Sequence, residues 1–219
     1  MLHRNPTFHL EAMPTLYRAD SAYAQRTFAQ AKRYQVAEIS SHVVAADAAC
    51  RQEVEDFIAM VFKQVYDAEI TSFMPQLVAL RDHTGVLMAA FGLRHAATEQ
   101  LFLEQYLDEP IEQLMSRQLQ RTICRDEITC IGNLAVANPR NAGVLIAHVI
   151  QYSLNIQLPW VVATAHHSLQ NGLIKGGRDV YPLAMAHPER LSAQERAKWG
   201  RYYTHTPQIV AIRGVAPPL

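Results

Sequence analysis

Residues 128–165 read ITCIGNLAVANPRNAGVLIAHVIQYSLNIQLPWVVATA, and the order of apolar and loop segments in this stretch predicts the architecture. Its first nine residues, Ile128–Val136, predict a buried strand, and the glycine inside it indicates a bulge or a close backbone approach. After the loop 137–140, residues 141–156 are apolar on nearly every face, which predicts a buried helix. Residues 159–165 predict another buried strand. Strand, helix and strand in this order form a right-handed parallel unit.

The segments upstream of this unit add further strands and a helix. Residues 34–44 predict a first strand, and apolar residues recur at three- and four-residue steps from 47 to 66, which predicts a helix with one buried face. Residues 77–80 and 86–93 flank a glycine-containing loop, which is typical of a β-hairpin. A hairpin feeding a parallel unit gives an α/β fold with a mixed, mostly antiparallel sheet and helices on both faces.

Downstream, a short helix over 169–174 is predicted to end at two glycines, and Ser192 begins a capping box. Residues 208–213 predict the last strand. Between the hairpin and the parallel unit, a helix is predicted to start at Pro110, shortly after Asp108, because proline suits the first position of a helix. No composition shift divides the chain, so we expect an N-terminal extension, residues 1–33, packed on a single domain, residues 34–219.

The bulk composition excludes several classes of protein. Of the 219 residues, 49% are hydrophobic and 18% are charged, with a net charge of zero, so no basic field attracts nucleic acid. The chain has three cysteines, Cys50, Cys124 and Cys130, and no two of them have C-x-x-C spacing, which argues against a disulfide framework or a zinc site. No secretory signal and no long apolar run is present, so we expect a cytoplasmic protein without integral membrane association.

The junction between the central strand and helix is the candidate anion site. Phosphates bind where strands end and helices begin, because free backbone N–H groups and the helix dipole attract them. The junction reads VANPRNAGVL over 136–145 and resembles the acetyltransferase pyrophosphate loop, in which Gln or Arg, two residues, Gly, one residue, and Gly or Ala follow in order. Arg140 and Gly143 match, and Leu145 stands where a small residue is usual. The alternative is a loop whose Arg140 is merely solvated.

Longer blocks extend this resemblance across most of the chain. The blocks LFLEQYLDEPIEQ (101–113), IGNLA (131–135) and WGRYY (199–203), the last followed by Pro207, resemble the thermostable hemolysin family. The resemblance runs from about residue 52 to 210. That family is similar to the GNAT-like N-acyltransferase fold and, in layout, to acyl-homoserine-lactone synthases, which take acyl chains from acyl carrier protein. An acidic residue usually precedes IGNLA in the family, whereas this chain has Cys130.

The resemblance implies an N-acyltransferase that moves an acyl group from acyl-CoA or acyl carrier protein to the amine of a small, amino-acid-like metabolite. The co-substrate is then a coenzyme A or phosphopantetheine thioester, and no metal is expected. Backbone N–H groups of the bulged strand would hold the thioester carbonyl. The resemblance places the donor on eight residues: Leu134, Val136, Arg140, Asn141, Ala142, Gly143, Val144 and Asn171.

Several side chains are candidates for the chemistry, and each has a plainer alternative. Glu104 and Asp108, with Glu112 next, are the carboxylates expected to bind or deprotonate the amine, although Asp108 could equally cap a helix. Cys130 is a candidate nucleophile or a small hydrophobic residue, and Tyr203 a candidate proton donor to the leaving thiolate or a core residue. The remaining candidates for substrate binding are Asn133, Thr164, His166 and Trp199.

Two other classes of function stay open. One is a hemolysin-like protein that acts on lipids or membranes, and the other is a non-catalytic thioester-binding protein. A homodimer is a further expectation. Arg117, Arg121 and Arg125 recur at four-residue steps, as on one helix face, and could attract an acidic carrier protein or simply be solvated.

Overall fold

The computed structural model describes residues 39–214, so the predicted N-terminal extension, residues 1–33, lies outside the described residues. Within the described range the chain forms seven strands and five α-helices. In chain order these are β1 (Ser40–Val44), α1 (Arg51–Tyr66), β2 (Gln76–Arg81), β3 (Leu87–His95), α2 (Ile111–Gln118), β4 (Ile128–Val136), α3 (Ala142–Asn155), β5 (Trp160–Ala165), α4 (His167–Lys175), β6 (Val180–Met185), α5 (Ala193–Lys198) and β7 (Gln208–Arg213).

The strands form one sheet in the order β1-β2-β3-β4-β5-β7-β6. Strands β4 and β5 run parallel, and the other neighbouring pairs of this sheet run antiparallel. The crossover from β4 to β5 contains α3, as a parallel connection requires. The predicted mixed, mostly antiparallel sheet is therefore confirmed.

Helices cover both faces of the sheet because successive side chains of a strand point to opposite sides. In β2, Leu77 and Ala79 pack against α1, whereas Val78 and Leu80 belong to the layer that α3 and α4 cover. On the α1 side, α2 and a 3₁₀ turn, Phe102–Tyr106, cover the half of the sheet formed by β5, β6 and β7. The helix residues buried in these layers include Val54 and Ile58 of α1, Leu145 and Val149 of α3, Leu173 of α4, and Ile111 and Met115 of α2.

Strands β4 and β5 diverge after three residues of pairing. The parallel ladder joins only Ile128–Cys130 to residues 160–162, although β4 continues to Val136 and β5 to Ala165. The two strand ends therefore open like a V, and no β5 residue pairs with the second half of β4.

A β-bulge lies in the half of β4 that pairs with β3 but not with β5. The register with β3 shifts so that Phe91 faces two residues, Asn133 and Leu134, and Asn133 has a φ of 51°. Asparagine tolerates this left-handed conformation better than most residues. The bulge predicted from the interior glycine is therefore present, one residue beyond Gly132.

The loop between α1 and β2 crosses the sheet at this bulge. The Met74 N–H donates to Asn133 Oδ1 at 2.8 Å, and the Arg51 guanidinium donates to the carbonyls of Met74 at 2.7 Å and Pro75 at 3.1 Å. The Met74 side chain lies over the pair of glycines that face each other in β3 and β4, Gly92 and Gly132. Glycine is required there because a side chain would occupy the space of Met74.

Most element bounds agree with the sequence, and the differences have local causes. Strands β4 and β7 have the predicted bounds, and α1 begins at Arg51 rather than at 47. Strand β6 was not predicted because Pro182 lies inside it, and proline is tolerated here because β6 is an edge strand. The α2 N-cap is Pro110 and makes no side-chain capping bond, so Asp108 does not cap this helix. The Ser192 hydroxyl accepts the Glu195 N–H, as predicted.

We predict that Gly92→Ala destabilises the fold. An added Cβ would lie 2.5 Å from Met74 Cβ and 3.0 Å from Leu77 Cδ2. Met74 cannot move aside easily, because its N–H and C=O are both hydrogen bonded. The free energy of unfolding, measured by urea titration, should fall by about 1–3 kcal/mol.

The matched control is Gly143→Ala in the first turn of α3. A Cβ at this position meets nothing within 4 Å, so the same substitution should raise the free energy of unfolding by up to about 1 kcal/mol. Equal effects of the two substitutions would contradict the role given to Met74.

Candidate active site

A cleft of about 440 Å³ opens at the divergence of β4 and β5. Its floor is formed by residues of the bulged strand, including Cys130, Asn133 and Leu134, and its far side by Thr164 and His166. Trp199 lines the cleft too, so the structure brings together six of the residues predicted from sequence. The cleft exists because the sheet loses its ladder here, which leaves a gap that no neighbouring strand fills.

Several aromatic side chains line the cleft walls. Trp199 contacts Phe102 and Tyr202 with ring centroids 5.5 Å and 5.2 Å apart, and Tyr66 contacts Tyr202 at 5.2 Å. The Tyr202 hydroxyl donates to the carbonyl of Thr164 at 3.2 Å, which fixes this wall to the end of β5. Such walls suit an acyl chain or another apolar group, as the prediction for Trp199 requires.

Backbone groups of β4 beyond Cys130 face the gap left by β5. A strand edge without a neighbour presents N–H and C=O groups to whatever lies beside it. The bulge at Asn133 and Leu134 lies in this stretch, and both residues line the cleft. The role predicted for them, holding a thioester carbonyl, stays a prediction.

His166 has the properties of a proton acceptor in the cleft. It precedes α4, and its Nδ1 lies 2.8 Å from the Ser168 hydroxyl while its Nε2 lies 3.4 Å from the Tyr66 hydroxyl. Burial, and then the charge of His205, lower the pKa of His166, because both disfavour the imidazolium form. His166 is therefore neutral over a wider pH range than an exposed histidine.

Cys130 and Tyr203 lie in surroundings that do not favour their predicted catalytic roles. Burial raises the pKa of the Cys130 thiol to about 12, so it carries little thiolate at neutral pH. The Tyr203 hydroxyl is hydrogen bonded to that of Tyr106, and Tyr203 packs behind the cleft wall rather than lining it. Burial raises the pKa of Tyr203 to about 12. Tyr202 is the tyrosine of this pair that lines the cleft.

The predicted carboxylates lie outside the cleft. The Glu104 carboxylate is buried and accepts the N–H groups of Leu101 at 2.7 Å and Ile111 at 3.1 Å, and both Arg125 amino groups, at 2.7 Å and 2.8 Å. Glu112 also binds Arg125, at 2.8 Å. These contacts favour a structural role for Glu104 over the predicted role in deprotonating an amine.

Asp108 is likewise remote from the cleft. Its side chain is 90% exposed and pairs with Arg190 at 2.6 Å. The structure therefore brings Asp108, Glu104 and Glu112 together at a separate, open surface and not beside Thr164 or His166.

The three arginines predicted to share a helix face do not do so. Helix α2 ends at Gln118, and Arg125 belongs to a later 3₁₀ turn. Each arginine also has a carboxylate partner: Arg117 pairs with Glu109, Arg121 with Glu127, and Arg125 with Glu104 and Glu112. The expectation that they share one helix face is wrong, because α2 ends before the second arginine, Arg121.

The predicted pyrophosphate loop has the geometry of an anion site. Asn138 Oδ1 accepts the Arg140 N–H at 3.0 Å, and a 3₁₀ turn, Pro139–Asn141, leads into the first turn of α3. That turn contains no acidic residue, and the space beside Gly143 is open. The N-terminal N–H groups of a helix have no intrahelical partner, so the residues Ala142, Gly143 and Val144 fit an anionic group.

The remaining predicted residues lie at different distances from the cleft. Val136 packs at the end of β4 in the layer covered by α3, and Asn171 is exposed on α4 and does not line the cleft. Sequence reasoning missed Arg94, Met74 and Tyr66, which do line it. Arg94 gave a usable signal, since it is a charged residue in the apolar strand β3.

We predict that Glu104→Gln lowers the free energy of unfolding by about 2–4 kcal/mol at pH 7, because it removes the more buried of the two carboxylates that pair with the half-buried Arg125. Burial alone would raise the pKa of Glu104, but the Arg125 guanidinium and the Ile111 and Leu101 N–H groups outweigh it and hold the pKa low. The stabilisation is therefore present above the usual carboxyl pKa and disappears as the pH falls through the folded-state pKa.

Urea titrations between pH 7 and pH 3 check this expectation. The difference between wild type and Glu104→Gln should shrink towards pH 3. The control Glu69→Gln removes an exposed carboxylate paired with Lys63 and should change the free energy by less than about 0.5 kcal/mol. A pH-independent difference would show that the charge of Glu104 does not stabilise the fold.

The sheet, its V-shaped gap and the bulge agree with the predicted N-acyltransferase-like fold, and comparison with known proteins supports this fold. Residues 44–216 match the family model described as thermostable hemolysin, so the chain belongs to the thermostable hemolysin family. The resemblance read from the sequence is thereby confirmed. Comparison with curated proteins gives no match.

Solved structures with the same fold include acyl-transferring synthases. FeeM, an N-acyl amino acid synthase from uncultured soil microbes, is 12% identical with a TM-score of 0.51, over 82% of this chain and 91% of that one. BjaI, a CoA-dependent acyl-homoserine lactone synthase with SAM and isopentyl-CoA, is 14% identical with a TM-score of 0.52, over 82% and 84%. The acyl-homoserine-lactone synthase LasI is 12% identical with a TM-score of 0.50, over 80% and 88%. At these identities the likeness shows the fold.

Among residues 39–214, no helix is long and apolar enough to cross a membrane. In the same part of the chain, no group of three or more His, Cys, Asp or Glu side chains is placed to hold a metal ion.

Proposed function

We propose that this protein is an N-acyltransferase that moves an acyl group from a thioester to the amine of a small, amino-acid-like metabolite. The observation that carries the proposal is the divergence of β4 and β5 at a bulge, which opens an aromatic cleft beside free backbone groups. The solved structures of the same fold support it, since their descriptions name N-acyl amino acid and acyl-homoserine lactone synthases. The reaction would take place in the cytoplasm.

The donor is a coenzyme A or phosphopantetheine thioester whose pyrophosphate or phosphate lies at the start of α3. Arg140 supplies positive charge there, and Gly143 lets the donor approach the backbone. The thioester end then extends along β4 towards Leu134. Because Arg117, Arg121 and Arg125 are each paired with a carboxylate, they favour acyl-CoA over an acidic carrier protein as the donor.

The reaction requires a neutral amine, an oriented carbonyl and a proton for the leaving thiolate. The amine nitrogen attacks the thioester carbon and transfers a proton to His166. Backbone N–H groups near Leu134 donate hydrogen bonds to the carbonyl oxygen and stabilise the negative charge that develops on it. The carbon–sulfur bond then breaks, and the thiolate takes the proton from the imidazolium of His166. The products are an amide and a free thiol.

His166 is preferred as the base because the other titratable side chains of the cleft are less suitable. Burial raises the pKa of Cys130, Tyr66 and Tyr202. The carboxylate of Glu195 is held by Lys198 at 2.8 Å. Cys130 therefore contributes to the apolar floor and not to a covalent intermediate.

We predict that the protein binds a thioester donor through the α3 junction. Native mass spectrometry and calorimetry with coenzyme A, octanoyl-CoA and octanoyl-loaded carrier protein should detect a complex with at least one donor. Arg140→Ala should weaken this complex about 10-fold, the usual effect of losing one charge-assisted phosphate contact. Gly143→Ala should weaken it too, although this variant is expected to be fully folded.

The control for these variants is Arg117→Ala, an exposed arginine on α2 that should leave donor affinity unchanged. If no donor binds, the acyltransferase proposal fails, and dye release from phosphatidylcholine vesicles then tests the membrane-acting alternative. Tight donor binding with no turnover on any amine would instead favour the non-catalytic alternative.

We predict an acidic limb of the pH–rate profile below the usual histidine pKa of about 6.5, because burial and His205 lower the pKa of His166. The base acts only when neutral, so a lowered pKa preserves activity at acidic pH. His166→Gln should reduce kcat about 100- to 1000-fold and remove this limb.

His205→Gln provides the sharper test. Removing the charge of His205 should raise the pKa of His166, so the acidic limb should move to higher pH while the rate at pH 8 stays unchanged. A normal profile in His166→Gln would show that His166 is not the base, and an unshifted limb in His205→Gln would show that His205 does not lower the pKa of His166.

A further inference from the structure

We infer that Arg94 binds the carboxylate of the acceptor, so that the acceptor is an α-amino acid and not a simple amine. This inference rests on the proposed function, because it requires the acceptor to enter the same cleft. It goes beyond that function by assigning a residue and a chemical group to acceptor recognition.

Arg94 lies on the wall of the cleft. It is paired in register with Cys130, and both residues line the cleft together with Leu101. Leu101 and Cys130 are buried apolar residues. The guanidinium of Arg94 is therefore a positive group at the boundary of an apolar space.

One donor of Arg94 has no partner in the described chain. An amino group of Arg94 binds the Glu99 carboxylate at 2.9 Å, but the Nε atom is buried and makes no hydrogen bond. Buried polar groups are nearly always hydrogen bonded, and a buried charged donor without an acceptor costs free energy. The Nε–H group thus indicates an acceptor that the protein itself does not supply.

Two other partly buried arginines of the described chain use their Nε atoms. Arg51 donates from Nε to Glu55 at 2.6 Å, and Arg125 donates from Nε to the carbonyl of Ala96 at 2.8 Å. The exposed Arg117 also uses its Nε, towards Glu109 at 3.2 Å. Arg94, which lines the cleft, makes no such bond from Nε.

The chemistry of the unpaired edge favours a carboxylate. The Nε–H group and a neighbouring amino group of a guanidinium form a planar fork that matches the two oxygens of a carboxylate. Glu99 does not fill this edge, since it is 49% exposed and contacts the other amino group. An amino acid presents a carboxylate one carbon from its amine, so Arg94 would orient the amine within the cleft.

The test compares each amino acid with the amine that lacks its carboxylate, for example phenylalanine with phenethylamine and leucine with 3-methylbutylamine. With octanoyl-CoA as donor, wild type should have a kcat/KM about 100-fold higher for the best amino acid than for its amine. Arg94→Gln should remove this preference and leave the rate on the amine within about 3-fold of wild type. Arg94→Lys, which keeps the charge but not the fork, should retain part of the preference.

Arg117→Gln is the matched control and should keep the full preference. Equal rates of wild type on amino acids and amines would overturn the inference while leaving the acyltransferase proposal intact. An equal loss on both substrates in Arg94→Gln would also overturn it, because it would show a general defect.

A binding measurement decides the inference even without turnover. Wild type should bind N-octanoyl-phenylalanine at least about 10-fold more tightly than N-octanoyl-phenethylamine, and at equal concentration the first ligand should raise its Tm more than the second. Arg94→Gln should bind both equally. If Arg94→Gln does not fold, the discrimination by wild type still decides, and equal affinities or no binding of either ligand overturns the inference.

Discussion

The hydrogen bond from the Met74 N–H to Asn133 Oδ1 joins the two features on which the cleft depends. Asn133 is the bulge residue of β4, and Met74 belongs to the loop that covers the paired glycines of β3 and β4. A regular β4 would continue its ladder with β5, and no gap would exist. Because the bulge turns the strand and the loop fixes it, the sheet can separate without leaving Asn133 unpaired.

Some charged side chains near the cleft hold the fold together, and others line the cleft, where they can contact a ligand. Arg125 and Glu104 tie the turn before α2, the start of α2 and the turn before β4 to each other. This ion pair stabilises the layer that supports Phe102 and Leu103 in the cleft wall. The carboxylates of Glu104 and Glu112 are thus used in building the wall, and the cleft itself keeps His166 and Arg94 beside the ion pair of Glu195 and Lys198.

Sequence patterns predicted the fold well because most strands and helices are defined by short-range apolar order. The parallel unit of β4, α3 and β5, the hairpin, and the bulge near Gly132 could all be read from local residues. The site was harder, because the pairing of Glu104 with Arg125, 21 residues apart, is not visible in any local pattern. Without it, Glu104 resembled a free catalytic carboxylate. His166 and Trp199, which line the cleft, could be singled out from the sequence because His166 follows a predicted strand and Trp199 lies in a family block.

The environment of the cleft gives a physical reason for a neutral base and a positive wall to occur together. An ammonium group that enters an apolar cleft loses hydration, which lowers its pKa and favours loss of a proton. A carboxylate beside it would oppose this change by stabilising the positive charge. If the carboxylate pairs with Arg94, its charge is neutralised and no longer stabilises the ammonium group. The same burial that lowers the pKa of the amine lowers the pKa of His166 and keeps it neutral. An amino acid held in this way would present a free amine to the thioester without a catalytic carboxylate in the cleft.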